Sequence, residues 1–93
     1  MSWDFNDSAP QASNLRIVEP SGMRKYYEWR RLIRYMNLPP NDAAARVGDL
    51  RYERLPERGP YNFSIRLSQQ HRVHFTVDNT AKRITVLSIG PHG

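Results

Sequence analysis

Two periods of apolar residues divide the chain. From Gly22 to Met36 they return with a helical period: Tyr26, Trp29, Ile33 and Met36 stand at i, i+3, i+7 and i+10, with Met23 a turn earlier. Ser21 is a candidate cap, and Asn37-Leu38-Pro39-Pro40 stops the helix, because each proline lacks a donor and disfavours helix before it. Asn41 or Asp42 then caps a short second helix, Asp42 to Val47, with Gly48 as its stop. From Tyr61 the period falls to two. Tyr61, Phe63, Ile65 and Leu67 share one face, and Val73, Phe75 and Val77 share one face of the next strand. A sheet needs both rows on one side, so the connection has odd parity. A loop of Ser68, Gln69 and Gln70 pairs Phe63 with Phe75, Ile65 with Val73, and Arg66 with Arg72. A last strand, Arg83 to Ile89, carries apolar groups on both parities, as in a strand covered on both sides.

Residues 1–13 are poor in bulky apolar positions and read as a flexible N-terminal tail, followed by a short strand at Leu15–Val18 that Pro20 breaks. Residues 14–93 then form a single α+β domain: a short N-terminal strand and two helices packed on one face of a small twisted antiparallel sheet. The helical aromatic stripe is expected in the core.

Composition narrows the chemistry. There is no cysteine among the 93 residues, so neither a disulfide nor a thiolate is available. No apolar run nears the ~20 residues of a membrane span, and MSWDFNDSAPQ lacks the marks of a secretion signal, so a cytoplasmic protein with no membrane partner is expected. Lys plus Arg is 14 against 9 Asp plus Glu, and the isoelectric point is about 10.1. A polyanionic partner is favoured over a merely solvated basic surface. Twelve of the cations are arginines, which contact phosphate as a fork rather than a point charge.

The polar face of the hairpin concentrates these cations. Arg66 opposite Arg72 is destabilising unless a carboxylate or a ligand neutralises the pair, and Glu53 or Glu57 is the candidate carboxylate. His74 faces the same side. His71 sits beside the loop and is expected to be solvated, while His92 leaves the end of a strand that neighbours that of Arg72. Three histidines without H-E-x-x-H or comparable spacing make no metal site. Phosphate-loop, dinucleotide and serine-hydrolase motifs are absent, so no metal and no cofactor is expected. A carboxylate, an arginine and a histidine together suffice to cleave RNA: a base for the 2′-OH, a cation for the phosphorane charge and an acid for the leaving 5′ oxygen. Composition alone does not choose among the candidates.

The stretch YNFSIRLSQQHRVHFTVDNTAKRITVLSIGPHG resembles the C-terminal sheet of the RelE/ParE toxin superfamily, nearest its HigB and YoeB branches. The shared pattern is an S-x-R-[IL]-x-x-x-[HYW]-R-[LVI] hairpin, here Ser64 to Val73, then an apolar strand ending in a turn and a histidine, here LSIGPH. RYERLPERG upstream fits the segment that leads into the hairpin, with Glu53 two residues before Leu55. The resemblance spans roughly residues 50–93. Pro91 stands where related chains usually have Tyr, and Asn62 and Ser64 stand where RelE-like chains carry lysines.

The resemblance implies the toxin of a bacterial toxin–antitoxin pair, a ribosome-dependent endoribonuclease that binds mRNA in the 30S A site. It implies a cognate antitoxin as partner. By position it makes Glu53 the general base, Arg72 the phosphate contact and His92 the general acid. Arg66, Ser64, His74, Arg51 and Arg54 become candidate RNA contacts. Two other readings remain open: a ParE-like inhibitor of DNA gyrase on the same fold, and a non-catalytic basic module that binds RNA or the ribosome.

Overall fold

The structure, a computed structural model, describes residues 3–8 and 18–91. Two helices, α1 (Pro20–Met36) and α2 (Pro40–Val47), pack on one face of a five-stranded sheet. Its strands are β1 (Asp4–Asn6), β2 (Glu53–Arg54), β3 (Asn62–Arg66), β4 (His71–Asp78) and β5 (Arg83–Pro91), in the order β1-β5-β4-β3-β2. All pairings are antiparallel except β1 with β5, so the sheet is mixed.

Both helices open on a proline. The first helical residue lacks an intrahelical partner in any case, and proline's fixed φ suits it. Pro20 thus starts α1 ahead of Ser21, and no side chain caps it. Pro40 begins α2 where it was expected only to end α1. Asn37 ends α1 in the left-handed conformation, and the Leu38 N–H donates to the Leu32 carbonyl at 3.2 Å. Gly48, at φ 83°, ends α2 where a side chain would be strained.

The aromatic stripe is core, as the helical period required. Tyr26, Trp29 and Ile33 are wholly buried, whereas Met36 at the helix end is exposed. The Trp29 ring packs 4.9 Å from Phe75 and 5.4 Å from Phe5, and its Nε1 donates to the Pro40 carbonyl at 3.1 Å. That bond ties the start of α2 to the middle of α1.

The hairpin has the odd-parity loop. Phe63 pairs with Phe75, Ile65 with Val73 and Arg66 with Arg72, and the Leu67 N–H closes the turn on the His71 carbonyl at 2.9 Å.

The mixed apolar pattern of β5 has a different cause from the one expected. Val73 pairs with Ile89 and His74 with Ser88, but Phe75 pairs with Val86, leaving Leu87 as the extra residue of a bulge. The bulge resets the parity, so Ile84, Val86 and Ile89 are all buried while Leu87 is exposed.

The tail reading is corrected for residues 3–8. Asp4–Asn6 forms β1 along the outer edge of β5, and the Asp4 N–H donates to the Lys82 carbonyl at 2.8 Å. Trp3 and Phe5 are buried, and Phe5 meets Tyr26 and Trp29 edge-on. Burial of each ring is worth roughly 1.5–3 kcal/mol, enough to order a three-residue strand that its composition alone does not suggest. Asp7 accepts from the Tyr26 hydroxyl at 2.9 Å and lies 3.1 Å from Arg30 Nε, whose N–H has no aligned acceptor. Burial first, then the Asp7 carboxylate, raises the Tyr26 pKa far above that of an ordinary phenol. The strand expected at Leu15–Val18 lies outside the described residues except for Val18, which is buried at a bend.

Candidate functional site

The face of the sheet opposite the helices carries polar rows. Across one row stand Glu53, Ser64, His74 and Ser88, and beside it Arg66, Arg72 and Gly90. Period-two alternation puts them there, because their neighbours Phe63, Ile65, Val73 and Phe75 fill the core side. Pro56–Arg58 makes a 3-10 turn after β2 and folds against this face. The resulting cleft, about 240 Å³, is lined by Glu53, Leu55, Glu57, Arg58, Ser64, Arg72 and His74.

Arg72 lines that cleft and makes the ion pair within it. Its side chain is only 14% exposed, and its Nη1 donates to Glu53 Oε2 at 3.2 Å and to Ser64 Oγ at 3.4 Å. Among the described residues its Nη2 and Nε donate to no protein acceptor, so most of the five-donor fork is unspent. A planar fork fixed at one nitrogen, in a concave and partly desolvated site, suits the oxygens of a phosphate.

Glu53, on the two-residue edge strand β2, is 47% exposed on the side chain and faces the same cleft. The preceding Tyr52 anchors this strand on the core side: its ring lies 5.3 Å from Phe63 and 5.8 Å from Phe75. Burial pushes its hydroxyl up to about 12.

The expected contacts separate into three groups. Ser64 lies in the cleft but is wholly buried, so it supports Arg72 from beneath instead of meeting solute. His74 is half-buried there, with Nδ1 3.3 Å from Ser88 Oγ. Arg66 and Arg51 line a different pocket, about 390 Å³, beside Lys25 and Asp49, and Arg66 Nε donates to the Ser68 carbonyl at 3.2 Å. Arg54 pairs with Phe63, so its register belongs to the helix side of the sheet, away from the cleft. His71, expected to be solvated, is buried with Nδ1 3.2 Å from Ser68 Oγ, because it closes the hairpin turn. His92 lies outside the described residues. The strand that precedes it sets Gly90 opposite Arg72 and Pro91 opposite His71.

Leu55, the landmark after Glu53, and Arg58 complete the cleft, and the sequence pattern does not mark Arg58. The available signal was Pro56 followed by Gly59-Pro60, which marks a tight turn that folds its short contents back on the hairpin. Among the described residues no three His, Cys, Asp or Glu side chains gather as a metal-binding group. Among the same residues no helix is long and apolar enough to cross a membrane.

No protein-family model matches the chain, and no curated protein matches it in sequence. Among solved structures the chain is similar to one in the crystal structure of the archaeal RelE-RelB complex from Pyrococcus horikoshii OT3, with a TM-score of 0.67 at 20% sequence identity. The match covers 100% of this chain and 98% of that one. Two helices packed against a mixed five-stranded sheet are therefore the RelE fold.

Proposed function

We propose that the chain is the toxin of a toxin–antitoxin pair and acts as an endoribonuclease on mRNA in the ribosomal A site. The observation that supports this best is Arg72: a nearly buried guanidinium, held by Glu53 and Ser64, with donors left unspent among the described residues, in a cleft of a RelE-fold sheet. In this reading Arg72 binds the scissile phosphate. Glu53 releases Arg72 as the phosphate enters and takes the proton of the 2′-OH. The 2′ oxygen forms its bond to phosphorus, the bond to the 5′ oxygen breaks, and His92 gives that oxygen its proton. Each acid–base group contributes on the order of 10²–10⁴ in rate, and the arginine about 10²–10³. His74 contacts the RNA beside Arg72. Arg66 and Arg51 contact it from the other pocket, whereas Arg54, on the helix side of edge strand β2, meets only RNA that runs past that edge.

The antitoxin is the second partner. The structural neighbour is from a RelE-RelB complex, and the basic helix α1, with Arg24, Arg31 and Arg34 exposed, offers an acidic segment a landing surface. Ribosome-bound action places the protein in the cytoplasm.

The Glu53–Arg72 pair also fits a non-catalytic basic module, in which the carboxylate merely relieves the repulsion between Arg66 and Arg72. Controlled expression in bacteria separates these readings. Growth arrest with mRNA cut at codons is expected, and it is lost in a Glu53→Ala, Arg72→Ala, His92→Gln triple variant. DNA damage signalling with intact mRNA would select a gyrase inhibitor instead. Ribosome binding without toxicity would select the module.

A further inference from the structure

A third pocket, about 450 Å³, lies where β3 begins and β4 ends. Tyr61 forms one wall and is 63% exposed, an unusual place for a large ring in a chain whose other aromatics between β2 and β5 are packed. The remaining polar lining comes from Asn62, Thr76, Asp78, Asn79 and Thr80. No cation lines it. Its acid, Asp78, accepts from the Thr80 and Ala81 N–H groups at 3.0 Å each through Oδ1, which holds the β4–β5 turn in shape.

This chemistry suits a base and not a phosphate. An aromatic platform gives any base a surface to stack on, worth ~1–3 kcal/mol, and amide and hydroxyl groups meet its edges. The pocket lies farther along the same two strands than the Arg72 cleft. Asn62 and Thr76 are register partners on the polar face, one step along from Ser64 and His74, whereas Tyr61 and Val77 have the opposite parity and reach the pocket at the end of the sheet. Asn62 Nδ2 donates to the carbonyl of Arg58, a residue of the cleft wall, at 3.1 Å and leaves its Oδ1 as an acceptor. Thr76 lies four residues from Arg72 along β4, roughly 13 Å at the usual strand rise. A stacked strand advances roughly 3.4 Å per nucleotide, so this span corresponds to about four nucleotides or fewer.

We propose that the Tyr61 pocket is a nucleobase subsite for single-stranded RNA whose phosphate is held at Arg72. The inference rests on the reading of the Arg72 cleft as an RNA site. It divides the labour: Arg72 reads charge, and Tyr61 with Asn62 and Thr76 reads a base some nucleotides away.

The test is fluorescence anisotropy with a labelled, uncleavable 2′-O-methyl RNA, titrated across salt concentrations. Tyr61→Ala weakens binding roughly 5- to 150-fold with an unchanged salt slope, as expected for loss of stacking. Tyr61→Phe keeps wild-type affinity, which separates stacking from any loss of fold at this exposed position. Arg72→Ala lowers the salt slope by about one. In an abasic scan of the RNA, one position weakens the wild type and has no further effect on Tyr61→Ala. If Arg72→Ala loses affinity while Tyr61→Ala binds like wild type, the subsite is wrong and the RNA reading stands. If neither substitution alters binding, both are wrong.

Discussion

Arg66 and Arg72 are cross-strand partners whose guanidinium groups leave the pair in different directions. Arg72 turns to Glu53 and Ser64, whereas Arg66 turns to the Ser68 carbonyl at the hairpin tip. Like charges directly opposite are destabilising, and this divergence with one carboxylate is how the fold accommodates them. Glu53→Gln therefore lowers stability by up to ~1 kcal/mol at low salt, since the carboxylate is half-exposed and screened. Arg66→Ala in the same background restores most of that loss. Urea denaturation of the four proteins, at low and high salt, reads the coupling.

Gly22 sits where α1 meets the hairpin tip. A Cβ there would lie 2.8 Å from Val18 Cγ1, 3.2 Å from the Leu67 carbonyl oxygen and 3.3 Å from Leu67 Cβ. Alanine is otherwise the better helix former by about 1 kcal/mol. The Val18 methyl can yield, but the Leu67 backbone is fixed by its bond to His71. Overpacking costs ~1–3 kcal/mol, so Gly22→Ala lowers the unfolding midpoint despite its propensity. A raised midpoint would show that the helix stands farther from the sheet.

Phe5 is the central ring of the N-terminal strand. Phe5→Ala empties a site bounded by Tyr26 and Trp29 and costs ~3–5 kcal/mol. A stability like that of wild type would mean that residues 3–8 do not pack as described. Thermal unfolding checks this directly.

Alkaline pH offers an independent probe of the core. Tyr52 titrates near 12 in the fold against 10.0 for the free side chain, because burial disfavours the phenolate. The folded state holds the proton more tightly, so this stability is fully present below pH 10 and is lost as pH rises toward 12. The loss is at most about 3 kcal/mol, and less for a ring that water partly reaches. Tyr52→Phe makes that part of the stability–pH profile about half as steep, leaving the share of Tyr26, measured by urea unfolding at stepped pH.

Much of the fold was legible in two periods. The stripe of Tyr26, Trp29 and Ile33 specified a core helix, and the parity of Phe63, Ile65, Val73 and Phe75 specified the hairpin register. What escaped was set by contacts distant in sequence. Asp4–Asn6 is too short to show a period, and its order comes from Phe5 meeting residues more than twenty positions away. The bulge at Leu87 shifts parity within one strand, so a two-sided pattern was read where one side is buried. The site was legible in kind, because alternation puts Arg72, His74 and Ser64 on one face. The burial of Ser64, the diversion of Arg66 and the closing role of His71 depend on side-chain directions that alternation does not specify.

The most direct measurement is primer extension on a translated message after brief induction of the protein in bacteria. The wild type is expected to leave breaks within codons of the translated region, and Arg72→Ala is expected to abolish them while the protein remains folded. Intact message under wild-type induction, or breaks that persist unchanged with Arg72→Ala, would contradict a ribonuclease built around Arg72.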